Sequence, residues 1–269
     1  MTTRRIRTIC FVFVCCNSIF SSFCQESNFS SGMFAGENCI LATDTNVWAV
    51  QTNPALLAYC GQTEIGAAYS TNYLATNMVC SRINACTRMK QLTTAVSATI
   101  FGNTHFRESC FSGSIARKLN FYNALAVKFT ITRQFQEEYA PKLSVYPELA
   151  YFGEQKKLSY GIHIVNPLRL FRQSSRAIFV TKLIVNYRIN DIVYCSGMFS
   201  QKTDVAPTVS LGIGAKPSKY LQAGISYSTH ETPVTLLLQI PLERIQCYYE
   251  TAYNYYLGMT HSIGLLIKW

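Results

Sequence analysis

From Gln62 onward, apolar and polar residues alternate in short segments separated by turn-forming residues, the pattern of a strand with two unlike faces. Between Tyr122 and Thr132, for example, Leu125, Val127, Phe129 and Ile131 fall on one side, while Ala126, Lys128, Thr130 and Thr132 fall on the other. Successive side chains of an extended chain point oppositely, so each set shares a face. In the same way Leu143, Val145, Leu149 and Tyr151 oppose Lys142, Ser144, Tyr146 and Glu148. Val209, Leu211 and Ile213 oppose Ser210, Gly212 and Gly214, and Leu221, Ala223, Ile225 and Tyr227 oppose Gln222, Gly224 and Ser226. The pattern predicts about fourteen strands, near 63–71, 77–87, 91–101, 109–119, 122–133, 142–153, 157–166, 177–189, 191–200, 206–216, 219–228, 233–240, 243–252 and 258–268.

The connections divide into two kinds that alternate along the chain. Those around Asn120, Glu154 to Lys157, Arg188 to Asp191, Pro217 and Pro241 are tight. Those around Asn72, Asn103, Phe135 to Pro141, Pro167 to Arg176, Asp204, His230 and Asn254 are longer. Outer-membrane barrels have short periplasmic turns, longer external loops and an even strand number. The predicted fold class is therefore all-β, an antiparallel transmembrane β-barrel of about 14 strands, with both ends of the sheet on the periplasmic side.

A soluble sandwich also alternates. Three features weigh against it: 17 tyrosines and 16 phenylalanines suited to aromatic girdles, a charged fraction of only 14%, and the last strand. There Ile263, Leu265, Ile267 and Trp269 share one face with His261, and a terminal aromatic residue on an amphipathic strand is the signal that the barrel-assembly machinery reads. No apolar run reaches the roughly 18 to 20 residues of a membrane-spanning helix.

Residues 1–24 read as a secretory signal: Arg4, Arg5 and Arg7, then an apolar stretch from Ile9 to Cys16, then Ser21, Ser22 and Cys24. Cleavage is expected after Cys24, which with Ser22 offers small side chains to signal peptidase. Acylation of Cys24 is disfavoured by the bulky Phe23 before it. Three of the 24 basic residues and none of the 14 acidic ones leave with the signal, so the mature chain stays mildly basic. No basic-aromatic cluster accompanies that charge, and nucleic acid is not an expected partner. The destination expected is the outer membrane of a Gram-negative cell.

Seven cysteines remain: Cys39, Cys60, Cys80, Cys86, Cys110, Cys195 and Cys247. Their odd number and irregular spacing do not make a disulfide framework, and small residues tolerated on strand faces account for them. Cys39 with Cys60 is the pair to test first. No Cys or His pair has zinc-ligand spacing, so neither a metal nor a cofactor is expected.

Residues 25–61 precede the barrel, which is assigned to 62–269, and do not alternate. Ala42 to Tyr59 read as a short helix interrupted at Asn53-Pro54, because proline disfavours helical geometry in the residue before it. Asp44 or Thr45 is expected to cap the first turn. Val47, Trp48, Val50, Ala55, Leu56, Leu57 and Ala58 are too apolar for a solvated tail, and imply a plug in the barrel lumen.

The run from Thr43 to Ala58, with its Asn53-Pro54-Ala55, resembles the N-terminal signature of the FadL-like PorV/PorQ barrels of the Bacteroidetes. Leu56 stands where that family often has glycine. Phe111 to Leu119 and Leu158 to Arg169, with Asn166-Pro167, are similar to the family's fourth and seventh strands. The resemblance implies a fourteen-stranded barrel with a lumenal N-terminal plug. Its members serve hydrophobic-compound uptake or type IX protein secretion, so the implied partners are a hydrophobic small molecule or secretion-system proteins, beside outer-membrane lipid and the assembly machinery.

Candidate ligand or gating residues are Trp48, Asn53, Pro54, Ala55, His163 and Asn166. Asn53 and Pro54 offer a polar side chain and a rigid turn at the plug tip, where the alternatives are gating and simple packing against the wall. His163 falls on the lumenal face with Ser159, Gly161 and Val165, either lining a ligand path or acting as a hydrogen-bonded filler. Lys128, Glu148, Lys182, Arg188 and Glu250 fall near lumenal positions, as a mixed-charge ladder that pairs internally. An enzyme is not expected: His105, His163, His230 and His261 are scattered, and no nucleophile motif accompanies them.

Overall fold

The structure is a computed structural model that describes residues 39–40, 44–71, 79–168, 179–203, 205–229, 234–254 and 258–269. The expected signal at 1–24, residues 25–38 and 41–43 of the expected plug segment, and His230 lie outside the described residues.

The described residues form fourteen strands: β1 (Glu64–Thr71), β2 (Val79–Met89), β3 (Leu92–Gly102), β4 (Phe106–Lys118), β5 (Asn123–Gln136), β6 (Lys142–Gln155), β7 (Leu158–Val165), β8 (Val180–Arg188), β9 (Val193–Lys202), β10 (Thr208–Ser218), β11 (Leu221–Ser228), β12 (Val234–Pro241), β13 (Ile245–Asn254) and β14 (Gly258–Lys268). Each pairs antiparallel with its sequence neighbours, and β1 pairs with β14, which closes the sheet into a barrel. Closure leaves no edge strand, the condition for an extended chain in lipid. The seam is in register from Glu64 opposite Lys268 to Thr71 opposite His261, and the Trp269 amide donates to the Thr63 carbonyl at 2.9 Å.

The faces are inverted relative to a soluble protein. Along β5 the apolar members Leu125, Val127, Phe129 and Ile131 are exposed on the outer wall, while Ala126, Lys128, Thr130 and Thr132 are buried inside. Ile263, Leu265 and Trp269 point outward from β14 in the same way, and Ser262, Gly264 and Leu266 point inward. An apolar exterior around a polar interior is what lipid outside and a lumen inside select.

The helical segment is short. Ala49–Thr52 form one α-helical turn, α1, and Pro54–Tyr59 form a 3₁₀ helix, with extended Asn53 between them at the predicted break. Both lie within the barrel, in the half where β1 begins and β14 ends. That end also carries the tight connections, such as 90–91 between β2 and β3, 156–157 between β6 and β7, and 219–220 between β10 and β11.

Candidate functional site: the plug and the lumen

A fourteen-stranded sheet encloses more space than its own inward side chains fill, since filling by side chains alone is achieved at about eight strands. The plug supplies the missing core. Ile40, Val47, Trp48, Val50, Leu56 and Leu57 are completely buried, against wall positions kept small at Ala95, Ala116, Ala124, Ala126 and Ala150. Gly66 on β1 is one of these: a Cβ there would lie 2.8 Å from Cζ2 of Trp48. The Trp48 ring meets Tyr248 of β13 edge-on, with centroids 6.0 Å apart.

Neither Asp44 nor Thr45 caps α1. Trp48 occupies the cap position but its side chain does not cap the helix, and Asn46 does the capping work: its Oδ1 accepts from the Trp48 amide at 2.9 Å, and its carbonyl accepts from Ala49 at 3.0 Å. Asn46 is chosen because its Nδ2 also reaches the Tyr248 hydroxyl at 3.0 Å, so one side chain both turns the plug and fixes it to β13.

Asn53 plays the same double part at the other end of α1. Its Oδ1 accepts from the Ala55 amide at 3.1 Å and caps the 3₁₀ helix, in which Pro54 costs nothing at the first turn. Its Nδ2 donates to the Tyr151 carbonyl of β6 at 3.1 Å. The amide sits where a side chain on Gly161 of β7 would have to go, so Gly161 is the opening in the wall that admits it. Trp48, Asn53, Pro54 and Ala55 are thus brought together as one buried unit.

His163 and Asn166 are not part of that unit. His163 is buried in the lumen, and its Nε2 donates to Glu148 at 2.7 Å. Glu148 also accepts from Lys128, 3.1 Å away and directly opposite in register, and from the Thr130 hydroxyl. Asn166 closes β7 at the end away from the tight turns, with φ 55° and its amide donating to the Pro147 carbonyl at 2.8 Å. Asparagine tolerates that left-handed conformation better than other residues with a Cβ. Of the other charged positions, Glu250 is buried and Lys182 half-buried, whereas Arg188 is exposed at the tight-turn rim, 3.8 Å from Glu154.

A cavity of about 360 Å³ lies at this rim, between the plug and the wall, lined by Asp44, Phe152, Asn186, Arg188, Tyr194 and Lys216, among others. Its lining is mostly polar. Burial raises the Asp44 carboxyl above its ordinary value, opposed by Lys216 and by the hydrogen bond from Gln239 at 3.3 Å.

The cysteine pairing that the sequence put first is not the one the fold makes. Cys39 and Cys60 are both buried free thiols. Cys39 packs beside Gly212 of β10, and Cys60 lies beside Cys86 of β2. The contact with Cys86, together with burial, pushes the Cys60 thiol well above its ordinary value. Cys60, Cys86 and Glu64 bring one sulfur or oxygen atom each to within 4.8 Å of one another. Linear spacing missed this cluster because Cys86 arrives by register, opposite Glu64 on the neighbouring strand.

The closed sheet, apolar exterior and plugged lumen define a β-barrel of the outer-membrane type. No family model and no curated protein matches the chain in sequence. Among solved structures, the CymD monoaromatic hydrocarbon channel is similar over 83% of this chain and 93% of its own, with a TM-score of 0.60 at 10% identity. A FadL homologue from Pseudomonas aeruginosa is similar over 91% of this chain and 99% of its own, with a TM-score of 0.59 at 10% identity. The Pseudomonas putida toluene transporter TodX is similar over 81% and 92%, with a TM-score of 0.54 at 8% identity. At such identities the likeness is one of fold: this chain has the architecture of FadL-type outer-membrane channels.

Proposed function

We propose that this chain is exported by residues 1–24 and cleaved near Cys24. In the outer membrane it acts as a plugged channel that handles hydrophobic small molecules. The observation that carries the reading is the seating of the plug: an apolar cluster around Trp48, Leu56 and Leu57, anchored to the wall by hydrogen bonds that include those of Asn46, Val47, Gln51 and Asn53. In this reading, movement of the plug uncovers an apolar surface that an apolar solute wets better than water does. The fold likeness to a hydrocarbon channel and a toluene transporter supports this choice of solute. In this reading Asn53 and Pro54 gate, because they stand at the junction of plug, β6 and β7.

The test is penetration of N-phenylnaphthylamine into intact cells whose lipopolysaccharide otherwise excludes it. Expression of the barrel is expected to raise the rate, and deletion of Ala42 to Ala58 to change it. A rate equal to that of cells without the protein, or one indifferent to the deletion, defeats the proposal.

One observation favours a second reading. Beyond the plug the inner wall carries the Lys128–Glu148–His163 network along β5, β6 and β7, and an interior lined with paired charges suits a component that docks partners better than one that passes apolar solutes. The PorV/PorQ resemblance supplies the partner class, type IX secretion or surface-attachment proteins. Stable co-purification of such components from outer membranes, with no effect on dye penetration, would favour docking.

A further inference from the structure

Where the plug runs into β1, three strands present one inward row: Cys86 on β2, Glu64 on β1 and Lys268 on β14, each opposite the next in register. Cys60, the cap residue of the 3₁₀ helix, joins this row from the plug. We propose that Cys60, Cys86 and Glu64 bind one divalent ion of the zinc type, a site that stands independently of the solute reading above.

The donor set is selective. Two sulfurs exclude calcium and magnesium, which take oxygen ligands, and two sulfurs with a carboxylate suit a borderline-soft ion in four-coordinate geometry. The three donor atoms lie within 4.8 Å of one another, and zinc bonds of about 2.0–2.3 Å bring tetrahedral donors to roughly 3.5–3.8 Å. Side-chain rotation of under about an ångström per donor achieves that contraction. The frame that carries them is already rigid, since Glu64 and Cys86 are opposed in the barrel sheet and the Val47 amide holds Glu64 Oε2 at 2.8 Å.

Glu64 Oε1 is left facing Lys268, whose Nζ is 3.9 Å away, beyond hydrogen-bond distance. That long ion pair leaves the oxygen able to turn to an ion while Lys268 stays beside it. The Thr45 carbonyl, 3.5 Å from the Cys60 sulfur, stands next to the fourth position. Charge closes as well: binding releases two thiol protons, and the resulting pair of thiolates, one carboxylate and one dication carry a single negative charge, which the Lys268 ammonium offsets. All three ligands are at most 3% exposed, so the ion is shielded from competing water. Its ligands come from the end of the plug and from the first two strands. Bound metal thus fastens the plug to the seam where the barrel closes.

The experiment uses the mature chain extracted from outer membranes in detergent without chelator, with metal content read by elemental mass spectrometry. The stripped protein is then titrated with Zn²⁺ and with Co²⁺. One zinc per chain is expected, with a thiolate-to-cobalt charge-transfer band in the Co²⁺ form. Cys60→Ser and Cys86→Ser are expected to weaken binding at least about 100-fold and Glu64→Gln about 10-fold or more, while Cys195→Ser leaves it unchanged. Heat-modifiable migration checks that each variant is folded. If a serine variant fails that check, zinc protection of the wild-type thiols from iodoacetamide decides instead. Binding no tighter than in the Cys60→Ser, Cys86→Ser double variant, a disulfide between Cys60 and Cys86 in the purified chain, or thiols that zinc does not protect would each overturn the site.

Discussion

Glu148→Ala is the sharpest probe of the lumen, because its consequence depends on whether the interior is dry. In the wild type Glu148 is 3% exposed and takes three donors: Lys128 at 3.1 Å, His163 at 2.7 Å and Thr130. Truncation leaves the Lys128 ammonium, itself 5% exposed, without its counter-charge and His163 without its acceptor. Removing one partner of a buried ion pair costs about 3–5 kcal/mol, because the remaining charge stays desolvated. Replacing both members by apolar residues of similar volume is close to neutral or stabilising by about 1–4 kcal/mol. The predicted series is therefore a loss of about 3–5 kcal/mol for Glu148→Ala and recovery of most of it in Lys128→Met, Glu148→Leu. The assay is reversible urea unfolding in lipid vesicles, followed by tryptophan fluorescence from Trp48 and Trp269. If water fills the lumen, Lys128 is solvated when Glu148 is gone. A loss below about 1 kcal/mol, or one that 1 M salt abolishes, would refute the dry network and return the pair to the class of exposed ion pairs.

Three further outcomes follow from the plug and the seam. Gly161→Val should expel the Asn53 amide, losing a net bond worth about 0.5–1.5 kcal/mol and freeing the plug; protease cutting within 44–60 should rise while the barrel keeps its heat-modifiable migration, and unchanged cutting would count against the anchor. Trp48→Ala should cost about 3–5 kcal/mol in the same urea assay, and a cost under about 1 kcal/mol would mean that the plug is not packed. Asp44 has its carboxyl raised in the folded state, so its contribution is fully present below the ordinary value of 3.8 and is lost as pH rises through the raised value. Asp44→Asn should thus match the wild type at pH 3 and become the more stable protein as pH climbs through that window, by urea titration across pH; a difference that shrinks with rising pH would reverse the sign.

The strands were legible because lipid on one side and lumen on the other force a period of two, and that period survives in nearly every segment. Their ends were not. β4 starts at Phe106 rather than near 109, and β5 runs on to Gln136 rather than ending near 133. Arg107, Glu108, Gln134 and Gln136 occupy those extensions, where backbone pairing continues past the membrane and no lipid face demands an apolar residue. The break at Asn53-Pro54 was written locally in the chain. The cap of α1 was not, since Asn46 is selected by Tyr248, about two hundred residues away. Lumenal, paired charges at Lys128 and Glu148 were legible, but not which partners meet, and the thiol cluster was hidden: each depends on a register, Lys128 against Glu148 and Cys86 against Glu64, that alternation alone does not fix.

These long-range contacts also decide how a plug of this kind can move. The apolar unit from Val47 to Leu57 is enclosed by small wall positions, so withdrawing it whole would leave a void lined by alanines and glycines. A void of that sort is penalised in proportion to its volume. Movement at Asn53 alone has no such penalty: it breaks one bond to Tyr151 and vacates the space over Gly161, leaving Trp48 against Tyr248. Under the channel reading, the low-energy opening is therefore local, on the lumenal side of Gly161 where β6 and β7 stay paired, and the rest of the plug stays seated as core. A disulfide engineered between Asn53→Cys and Gly161→Cys should then block dye penetration and be relieved by reductant, whereas penetration undiminished in the oxidised form would place the path elsewhere.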